Sequence, residues 1–223
     1  MSYNIAIDGP AGAGKSTIAK LLARELGYIY VDTGAMYRAM ACYFLQNGIP
    51  AEDEAKITDA CAGVDVTISY RDGEQQVILN GENVTGKIRT EEVGKMASTV
   101  SVYPVVRTKL VELQRALAKT ENVIMDGRDI GTVVLPDADV KIYLTASSAV
   151  RAKRRYEELT EKGVDCNLEE IEKDIIDRDY RDMHREVSPL KQAEDAVLLD
   201  TSELDIDGVV REMKRIIAEV CHA

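Results

Sequence analysis

The sequence has no tryptophan and a single phenylalanine among its 223 residues. These two large apolar side chains therefore contribute almost nothing to the interior. Hydrophobic residues still make up 45% of the chain and charged residues 30%, which is ordinary for a globular protein. A chain of this length can form one substantial hydrophobic core with a smaller piece attached. We expect a core built mainly from aliphatic side chains.

Long apolar runs are also absent. No stretch of the sequence approaches the roughly 20 apolar residues that a membrane-spanning helix needs. Residues 1–8 are too short for a signal peptide and lead directly into a glycine-rich motif. The sequence therefore predicts a cytoplasmic protein. It also shows no obvious apolar stripe left over for association, so we expect a monomer.

Cysteine and histidine are scarce and scattered. The two histidines, His184 and His222, are isolated from each other and predict no metal site. No Cys-x-x-Cys pair occurs among the four cysteines, Cys42, Cys61, Cys166 and Cys221. This spacing is typical of free thiols in a reducing compartment rather than of metal ligands or disulfides.

Positive charge is outnumbered. Lysine and arginine total 28 against 39 aspartates and glutamates, which gives a formal net charge of −11. Such a chain is a poor general binder of nucleic acid or membranes, because both surfaces are anionic. An anionic substrate would need a local basic site that opposes the overall field.

Short apolar runs alternate with helical patterns along the chain, which predicts an α/β fold with a parallel sheet. Five strands are predicted, at residues 4–8, 28–31, 122–126, 139–144 and 196–199. Helices are predicted at residues 15–26, 35–46, 103–119, 147–162, 168–185 and 205–220. Residues 64–85 differ, because apolar and polar residues alternate there and glycine turns interrupt them. This pattern is typical of antiparallel hairpins, so we interpret residues 60–100 as a small subdomain inserted into the parallel core.

A glycine-rich motif follows the first predicted strand and precedes the first helix. Residues 9–16 read Gly-Pro-Ala-Gly-Ala-Gly-Lys-Ser and match G-x-x-x-x-G-K-[ST] at every fixed position. The glycines let successive backbone N–H groups turn inward, and the new helix adds its positive end. In this arrangement Lys15 supplies charge for the β- and γ-phosphates of a nucleotide, and the Ser16 hydroxyl is a ligand for Mg²⁺. A dinucleotide site is excluded, since the glycines are not spaced as G-x-G-x-x-G.

Residues 9–16 thus match the phosphate-binding loop, or P-loop, of nucleotide-binding proteins. The rest of the sequence indicates which kind of P-loop protein this is. No Asn-Lys-x-Asp string for guanine and no Ser-Gly-Gly-Gln-like transporter signature occurs. Arg38 follows the second predicted strand closely, and Asp126 and Arg128 lie at the end of the third. Because ligands bind at the carboxyl ends of strands in open α/β sheets, we expect both arginines near the P-loop, where they can bind a second anion. This favours a small-molecule kinase.

Several further motifs occur together with the P-loop, and in a fixed order. They are Asp-Thr-Gly-Ala-Met-Tyr-Arg (32–38), Gly-Lys-Ile-Arg-Thr (86–90), Asp-Gly-Arg-Asp-Ile-Gly-Thr-Val-Val (126–134), Pro-Asp-Ala (136–138) and Asp-Arg-Asp-Tyr-Arg-Asp (177–182). With this series the chain resembles the bacterial-type cytidylate kinases over nearly its whole length.

The resemblance implies a fold and a reaction. The expected fold is a five-stranded parallel P-loop kinase core with helices on both faces, made of residues 1–59, 101–146 and 164–223. Residues 60–100 would be the insert that binds the nucleoside monophosphate, and residues 147–163 a short helical lid. The expected reaction is transfer of the γ-phosphoryl group of ATP to CMP, and to dCMP, with Mg²⁺ as cofactor.

The resemblance also assigns residues. The residues implied in catalysis are Lys15, Arg38, Arg128 and Arg185. ATP would be bound by Gly9, Pro10, Ala11, Gly12, Ala13, Gly14, Lys15, Ser16, Thr17 and Arg154, and Mg²⁺ by Ser16 and Asp126. CMP would be bound by Thr33, Tyr37, Arg38, Ser98, Arg107, Arg128, Asp129, Arg178, Asp182 and Arg185. The basic residues implied in the lid are Arg151, Lys153, Arg154 and Arg155.

Two alternatives remain open from the residues alone. One is another small-molecule P-loop kinase, of the UMP/CMP type or the shikimate type. The other is a noncatalytic module that binds ATP only to change shape. The helical spacing of Arg178, Asp182 and Arg185 is compatible with a shared functional face, and equally with an ordinary solvated helix.

Overall fold

The computed structural model describes residues 2–222, and for residues 221 and 222 it describes the backbone alone. The predicted thiol of Cys221 and the imidazole of His222 lie outside the described residues. Cys42 and Cys61 are free and buried, and Cys166 is free and half-buried. None of the described helices is long and apolar enough to cross a bilayer.

The chain forms eight strands, eight α-helices and one short π-helical turn over the described residues. The strands are β1 (Asn4–Asp8), β2 (Ile29–Asp32), β3 (Val66–Arg71), β4 (Glu74–Leu79), β5 (Glu82–Asn83), β6 (Val123–Gly127), β7 (Val140–Thr145) and β8 (Val197–Asp200). The helices are α1 (Lys15–Leu26), α2 (Thr33–Gln46), α3 (Glu54–Cys61), α4 (Glu91–Val100), α5 (Pro104–Thr120), α6 (Ser148–Glu161), α7 (Leu168–His184) and α8 (Ile206–His222). The π-helical turn spans Ile130–Val134.

Five parallel strands form the main sheet in the order β2-β6-β1-β7-β8. Side chains alternate across it: Ala6 packs into one buried cluster with α2 and α5, whereas Ile5 and Ile7 pack into another with α1 and α8. Helices therefore cover both faces of the sheet. This confirms the predicted fold class, and each of the five predicted strands lies within a residue or two of its observed bounds.

A second, antiparallel sheet has the order β3-β4-β5, as the alternation in residues 64–85 predicts. Its two turns contain Asp72-Gly73 and Asn80-Gly81, and all four of these residues have positive φ. Asp-Gly and Asn-Gly are the pairs that favour such tight hairpin turns. Gln75 joins this sheet to the main one, because its side chain bonds both the N–H and the C=O of Asp32, at 2.8 Å and 3.2 Å.

Two helices and the π-helical turn are absent from the sequence-based assignment. α3 and α4 have side-chain caps, since Asp53 accepts from the N–H of Lys56 and Thr90 accepts from that of Val93. Both helices are short, with eight and ten residues, although α4 does bury Val93, Met96, Ala97 and Val100 at helical spacing. α7 also leaves a row of apolar side chains exposed, formed by Ile176, Tyr180 and Met183, which the sequence analysis did not identify.

Candidate active site

The glycine-rich motif forms a loop between β1 and α1 that only glycine could build. Gly9, Gly12 and Gly14 have φ values of 147°, 76° and 89°. A Cβ atom on Gly9 would lie 1.9 Å from the carbonyl oxygen of Leu144, so no side chain fits there. The loop therefore needs these glycines for its backbone angles and for its close contact with β7.

Lys15 begins α1 with its side chain folded into the loop. Its Nζ donates to the carbonyl oxygens of Gly9 and Pro10, both at 2.7 Å. Burial lowers the pKa of Lys15 to about 7, and the nearby Arg128 adds to this effect. A phosphate group beside this lysine would favour its charged form.

An acidic group lies opposite Ser16 at the end of β6. The carboxylate of Asp126 accepts hydrogen bonds from the Ser16 hydroxyl at 2.8 Å and from the Tyr30 hydroxyl at 2.9 Å. Burial, with a contribution from Asp32, raises the pKa of Asp126 to about 6. A hydroxyl and a carboxylate in this arrangement are the oxygen ligands that Mg²⁺ prefers.

A cavity of about 240 Å³ opens beside the loop at the carboxyl ends of β2 and β6. All ten side chains predicted to bind CMP line it together with Lys15 and Asp126: Thr33, Tyr37, Arg38, Ser98, Arg107, Arg128, Asp129, Arg178, Asp182 and Arg185. Three predicted basic residues, Arg38, Arg128 and Arg185, thus line the same cavity as Lys15. Arg38 and Arg128 therefore lie where their positions after predicted strands led us to expect them, and Arg185 lies where the resemblance implied.

The cations of this cavity are only partly compensated. Arg128 Nε bonds Asp182 at 2.9 Å, and despite burial this carboxylate holds the pKa of Arg128 above its ordinary value. Arg178 Nε and Arg185 Nη2 are buried and make no hydrogen bond with any described residue. Burial, and then Arg128, lowers the pKa of Arg178 to about 10. Buried donors without partners are costly, so their presence here indicates a site for an anionic ligand.

A second group of side chains lines the same cavity around Asp129. Arg107 donates from Nη2 to the carboxylate of Asp129, and its Nη1 lies 3.3 Å from the carbonyl oxygen of Ser101. Arg185 approaches the same carboxylate at 4.0 Å. Ser98, on α4, lines the cavity beside them. Together they present both hydrogen-bond donors and acceptors to a flat polar group.

A larger cavity, of about 890 Å³, lies on the other side of the loop. The loop residues Gly12 to Thr17 line it, and so do Arg154, Arg155 and the segment after β8, including Thr201 and Leu204. Arg154 Nη2 donates to the carbonyl oxygen of Thr201 at 2.8 Å. The two cavities share Gly12, Lys15 and Ser16, so ligands in both would meet at the loop.

Comparison with known proteins identifies the family. The family model described as cytidylate kinase matches residues 5–219. The chain belongs to the cytidylate kinase family. A cytidylate kinase of Lactobacillus gasseri is 54% identical over 213 residues, which cover 96% of this chain and 93% of the relative. A cytidylate kinase of Caldicellulosiruptor bescii is 52% identical over 217 residues, covering 97% and 96%.

Solved structures agree on the fold. A shikimate kinase from Bacteroides thetaiotaomicron aligns with a TM-score of 0.50 and 14% identity, over 97% of this chain and 98% of that one. At this level of identity the likeness concerns the fold alone, and it supports a P-loop kinase architecture for this member of the cytidylate kinase family.

Several residues around the site were not assigned a role from the sequence. Arg89 reaches from the segment before α4 to Asp32, at 2.5 Å, and lines the smaller cavity. Arg89 belongs to the motif at residues 86–90, and this position is the sequence feature from which a role in the site could have been predicted. Ser101 also lines that cavity, and Thr201 lines the larger one, but neither belongs to a recognisable motif.

The basic residues predicted for the lid fall into different environments. Arg154 and Arg155 line the larger cavity. Lys153 is exposed and lies 4.0 Å from Glu157 on the same helix. Arg151 lines the larger cavity as well, but it is buried and forms an ion pair with Asp179 of α7. A run of basic residues in sequence therefore spreads around the helix, because successive positions point in different directions.

Proposed function

We propose that this protein transfers the γ-phosphoryl group of ATP to CMP, and to dCMP, releasing ADP and CDP or dCDP. The observation that carries the proposal is the pair of cavities that meet at Lys15, one of them lined by Arg38, Arg128 and Arg185. A site for one nucleotide does not need a second cation-lined cavity. Membership of the cytidylate kinase family supports the same reaction.

ATP binds across the loop in this proposal. Backbone N–H groups within residues 9–17, where Pro10 has none to donate, and the positive end of α1 bind its phosphates, and Lys15 contributes charge. The adenosine occupies the larger cavity, where Arg154 lines the wall and is held by Thr201. The hydrogen bonds that Lys15 makes to loop carbonyls keep its ammonium group beside the phosphate position.

The CMP phosphate binds to the arginines of the smaller cavity. Arg38 donates from Nη1 to the carbonyl oxygens of Ile88 and Thr90, at 3.2 Å and 3.3 Å, which holds its guanidinium at the cavity wall. Arg128 and Arg185 contribute further donors, and guanidinium groups match phosphate oxygens in geometry. Thr33 and Tyr37 line the same cavity.

The cytosine base is recognised by its hydrogen-bonding edge. Asp129 accepts from the exocyclic amine, while Arg107 and Ser98 donate to the ring acceptors. Uracil has a carbonyl in place of the amine, so Asp129 would lose a donor and face a repelling oxygen. Such a mismatch in a buried site costs about 1–3 kcal/mol or more.

The ribose contacts Asp182 and Arg178 on α7. Burial of Asp182 is outweighed by the adjacent Arg128 and Arg178, which hold the pKa of Asp182 below its ordinary value. The carboxylate is therefore ionised at neutral pH and can accept hydrogen bonds from sugar hydroxyls.

Ser16 and Asp126 are the residues that would hold Mg²⁺, directly or through water. Their oxygens lie 2.8 Å apart and face the loop, and their chemistry fits the metal. When bound, Mg²⁺ neutralises part of the phosphate charge.

Catalysis then consists of positioning and electrostatic stabilisation. A CMP phosphate oxygen attacks the γ-phosphorus of ATP in line, and the bond to the ADP oxygen breaks as the new P–O bond forms. No strong base is needed because the acceptor is already an anion. Lys15, Arg38, Arg128 and Arg185 stabilise the charge that spreads over the transferring group.

The division of labour within the chain follows the same scheme. Residues 60–100 form the insert on the acceptor side and contribute Ser98 to CMP binding, and residues 147–163 form a lid whose closure excludes water from ATP. The core comprises residues 1–59, 101–146 and 164–223. We further propose that the protein works in the cytoplasm without nucleic-acid or membrane partners.

The proposal is tested with one panel of acceptors. CMP, dCMP, UMP, AMP and shikimate are each supplied with ATP and Mg²⁺, and ADP formation is measured. We expect turnover with CMP and dCMP to exceed that with every other acceptor. A preference for UMP or shikimate would assign a different kinase, and ATP binding without ADP formation from any acceptor would leave only a nucleotide-sensing role.

A further inference from the structure

A buried ion pair joins α6 to α7 beside the phosphate loop, which is the glycine-rich loop of residues 9–16. The guanidinium of Arg151 bonds the carboxylate of Asp179 twice, from Nη1 to Oδ1 at 3.1 Å and from Nη2 to Oδ2 at 2.5 Å. The two side chains are only 5% and 13% exposed. Arg151 lines the larger cavity and Asp179 lines neither cavity, and the reaction proposed above assigns no substrate contact to either residue.

The same guanidinium also binds the phosphate loop itself. Arg151 Nη1 donates to the carbonyl oxygen of Ala11 at 2.9 Å, and its Nε donates to that of Ala146 at 2.9 Å. The stem of Arg151 packs against the loop as well, since a Cβ atom on Gly12 would lie 3.5 Å from its Cβ. Arg151 therefore fixes the tip of the loop to the start of α6.

Asp179 connects Arg151 to α7, which carries residues of the smaller cavity, the proposed acceptor cavity. It stands on α7 next to Arg178 and one turn before Asp182, both of which line the smaller cavity. Asp182 in turn bonds Arg128 Nε at 2.9 Å. A continuous set of charged contacts thus runs from Ala11 through Arg151 and Asp179 to the helix that carries the acceptor residues.

We propose that Arg151 and Asp179 are positioning residues that couple the two substrate sites, so that a nucleotide on the phosphate loop strengthens binding in the acceptor cavity. This inference rests on the function proposed above. A bidentate pair fixes direction as well as distance, and breaking one buried partner leaves an uncompensated charge. A shift of the loop is therefore transmitted to α7, and the coupling must be reciprocal.

The test measures CMP affinity by calorimetry, alone and with a saturating non-hydrolysable ATP analogue and Mg²⁺. In the wild type we expect the analogue to tighten CMP binding about 5-fold or more. In Asp179→Asn, which leaves Arg151 without its counterion, this enhancement falls close to one. Arg151→Lys keeps the charge but loses the planar fork, and it gives the same loss.

Asp177→Asn is the matched control, because it makes the same charge change at an exposed position of the same helix. Loss of a negative charge at Asp179 also shifts CMP affinity directly. That shift occurs both with and without the ATP analogue, so it cancels in the ratio of the two CMP affinities. Thermal unfolding verifies that each variant is folded, and if Asp179→Asn is not, the milder Arg151→Lys decides. The coupling is overturned if a folded Asp179→Asn or Arg151→Lys variant keeps the wild-type enhancement, or if the wild type itself shows no enhancement. A wild type that does not bind CMP refutes the proposed function instead.

Discussion

Asp8 illustrates how one buried carboxylate can hold two functional segments together. It ends β1, immediately before the phosphate loop, and accepts backbone hydrogen bonds from Ile130 and Gly131, both at 2.7 Å. These N–H groups open the π-helical turn that follows Arg128 and Asp129 in the chain. The first N–H groups of a helical turn have no partner within it, so the carboxylate caps the turn and fixes it to β1.

This environment predicts an unusual pH dependence of stability. Burial raises the pKa of Asp8 from 3.8 to about 6, with Asp129 adding to the shift and the two backbone bonds and Lys15 opposing it. A carboxyl whose pKa is raised by folding stabilises the protein below its unfolded pKa, and this contribution is lost as pH rises through the folded pKa. The relevant window is therefore about pH 4 to 6.

Asp8→Asn removes that titration. As the pH rises from about 4.5 to about 7.5, we expect the unfolding free energy of the variant to increase by about 2 kcal/mol relative to that of the wild type. Urea denaturation of both proteins at each pH measures it, and other titrating groups cancel in the comparison. A difference between the two proteins that does not vary with pH would contradict the raised pKa.

Asp129 is the residue on which base selection depends in the proposed function. In Asp129→Asn the side chain keeps its shape but can donate as well as accept, so it no longer penalises the uracil carbonyl. We expect the ratio of kcat/KM for CMP over UMP to fall roughly 10-fold or more. Steady-state assays with both acceptors measure this ratio, and Asp137→Asn, at an exposed position, should leave it unchanged. An unaltered ratio in Asp129→Asn would remove Asp129 from base recognition.

At the scale of elements, the sequence predicts those helices, strands and loops whose residues form a strong local pattern. β1, the phosphate loop and α1 follow from an apolar run, fixed glycines and helical periodicity, and their observed bounds agree with the prediction. The π-helical turn could not be predicted in this way, because it depends on the distant carboxylate of Asp8. α4 has a capping residue, Thr90, but only ten residues, and it lies beside hairpins that suggested a different structure.

In the site, too, residues within sequence motifs could be located, whereas contacts between distant residues could not. Most of the assigned residues that line the smaller cavity stand in motifs, and the resemblance also located Ser98, Arg107 and Arg185 outside them. The direction of Arg151 depends on its packing against Asp179, 28 positions along the chain, and no local pattern encodes that contact. Sequence reasoning therefore identified the basic run on α6 but not which of its members is buried.

In the proposed function the phosphate loop and α1 act as one element in binding ATP, and Lys15 is the side chain that joins them. In Lys15→Ala we expect turnover to fall by roughly 100-fold or more, because the β- and γ-phosphates lose their buried cation. The fold should change little, since a small side chain is compatible with a helix start. Arg24→Ala, at an exposed position near the end of the same helix, serves as the control. Turnover is measured by ADP release and folding by circular dichroism; near-normal turnover would refute the role of Lys15.

At the scale of the whole molecule, we expect a monomer in solution. The apolar row on α7 consists of Ile176, Tyr180 and Met183, and charged residues such as Asp177 and Arg181 are interspersed with it. Stable dimers usually bury a larger and more continuous apolar surface. Sedimentation should give a mass near 24.6 kDa at all protein concentrations. A concentration-dependent increase toward twice this mass would identify that row as the first surface to examine.

The distribution of charge determines how anionic substrates reach the site. The molecule carries a net charge of −11, yet Lys15, Arg107 and Arg128 are mostly buried around one cavity. The long-range field therefore repels nucleotides, whereas the short-range field in the cavity attracts them. Salt screens exposed charges beyond a Debye length of about 10 Å at 0.1 M, and it screens buried charges much less.

Raising the ionic strength should consequently remove the repulsion and leave the attraction in place. We expect kcat/KM for CMP to rise or to change less than about threefold between roughly 0.02 M and 0.15 M salt, at saturating ATP and Mg²⁺. Proteins that bind anions through exposed basic surfaces lose affinity steeply over such a range. Initial rates at subsaturating CMP, with a weakly binding salt such as potassium acetate, measure the effect. A fall of tenfold would show that solvent-exposed cations dominate capture, and the buried arginines would then not be the main determinants of substrate binding.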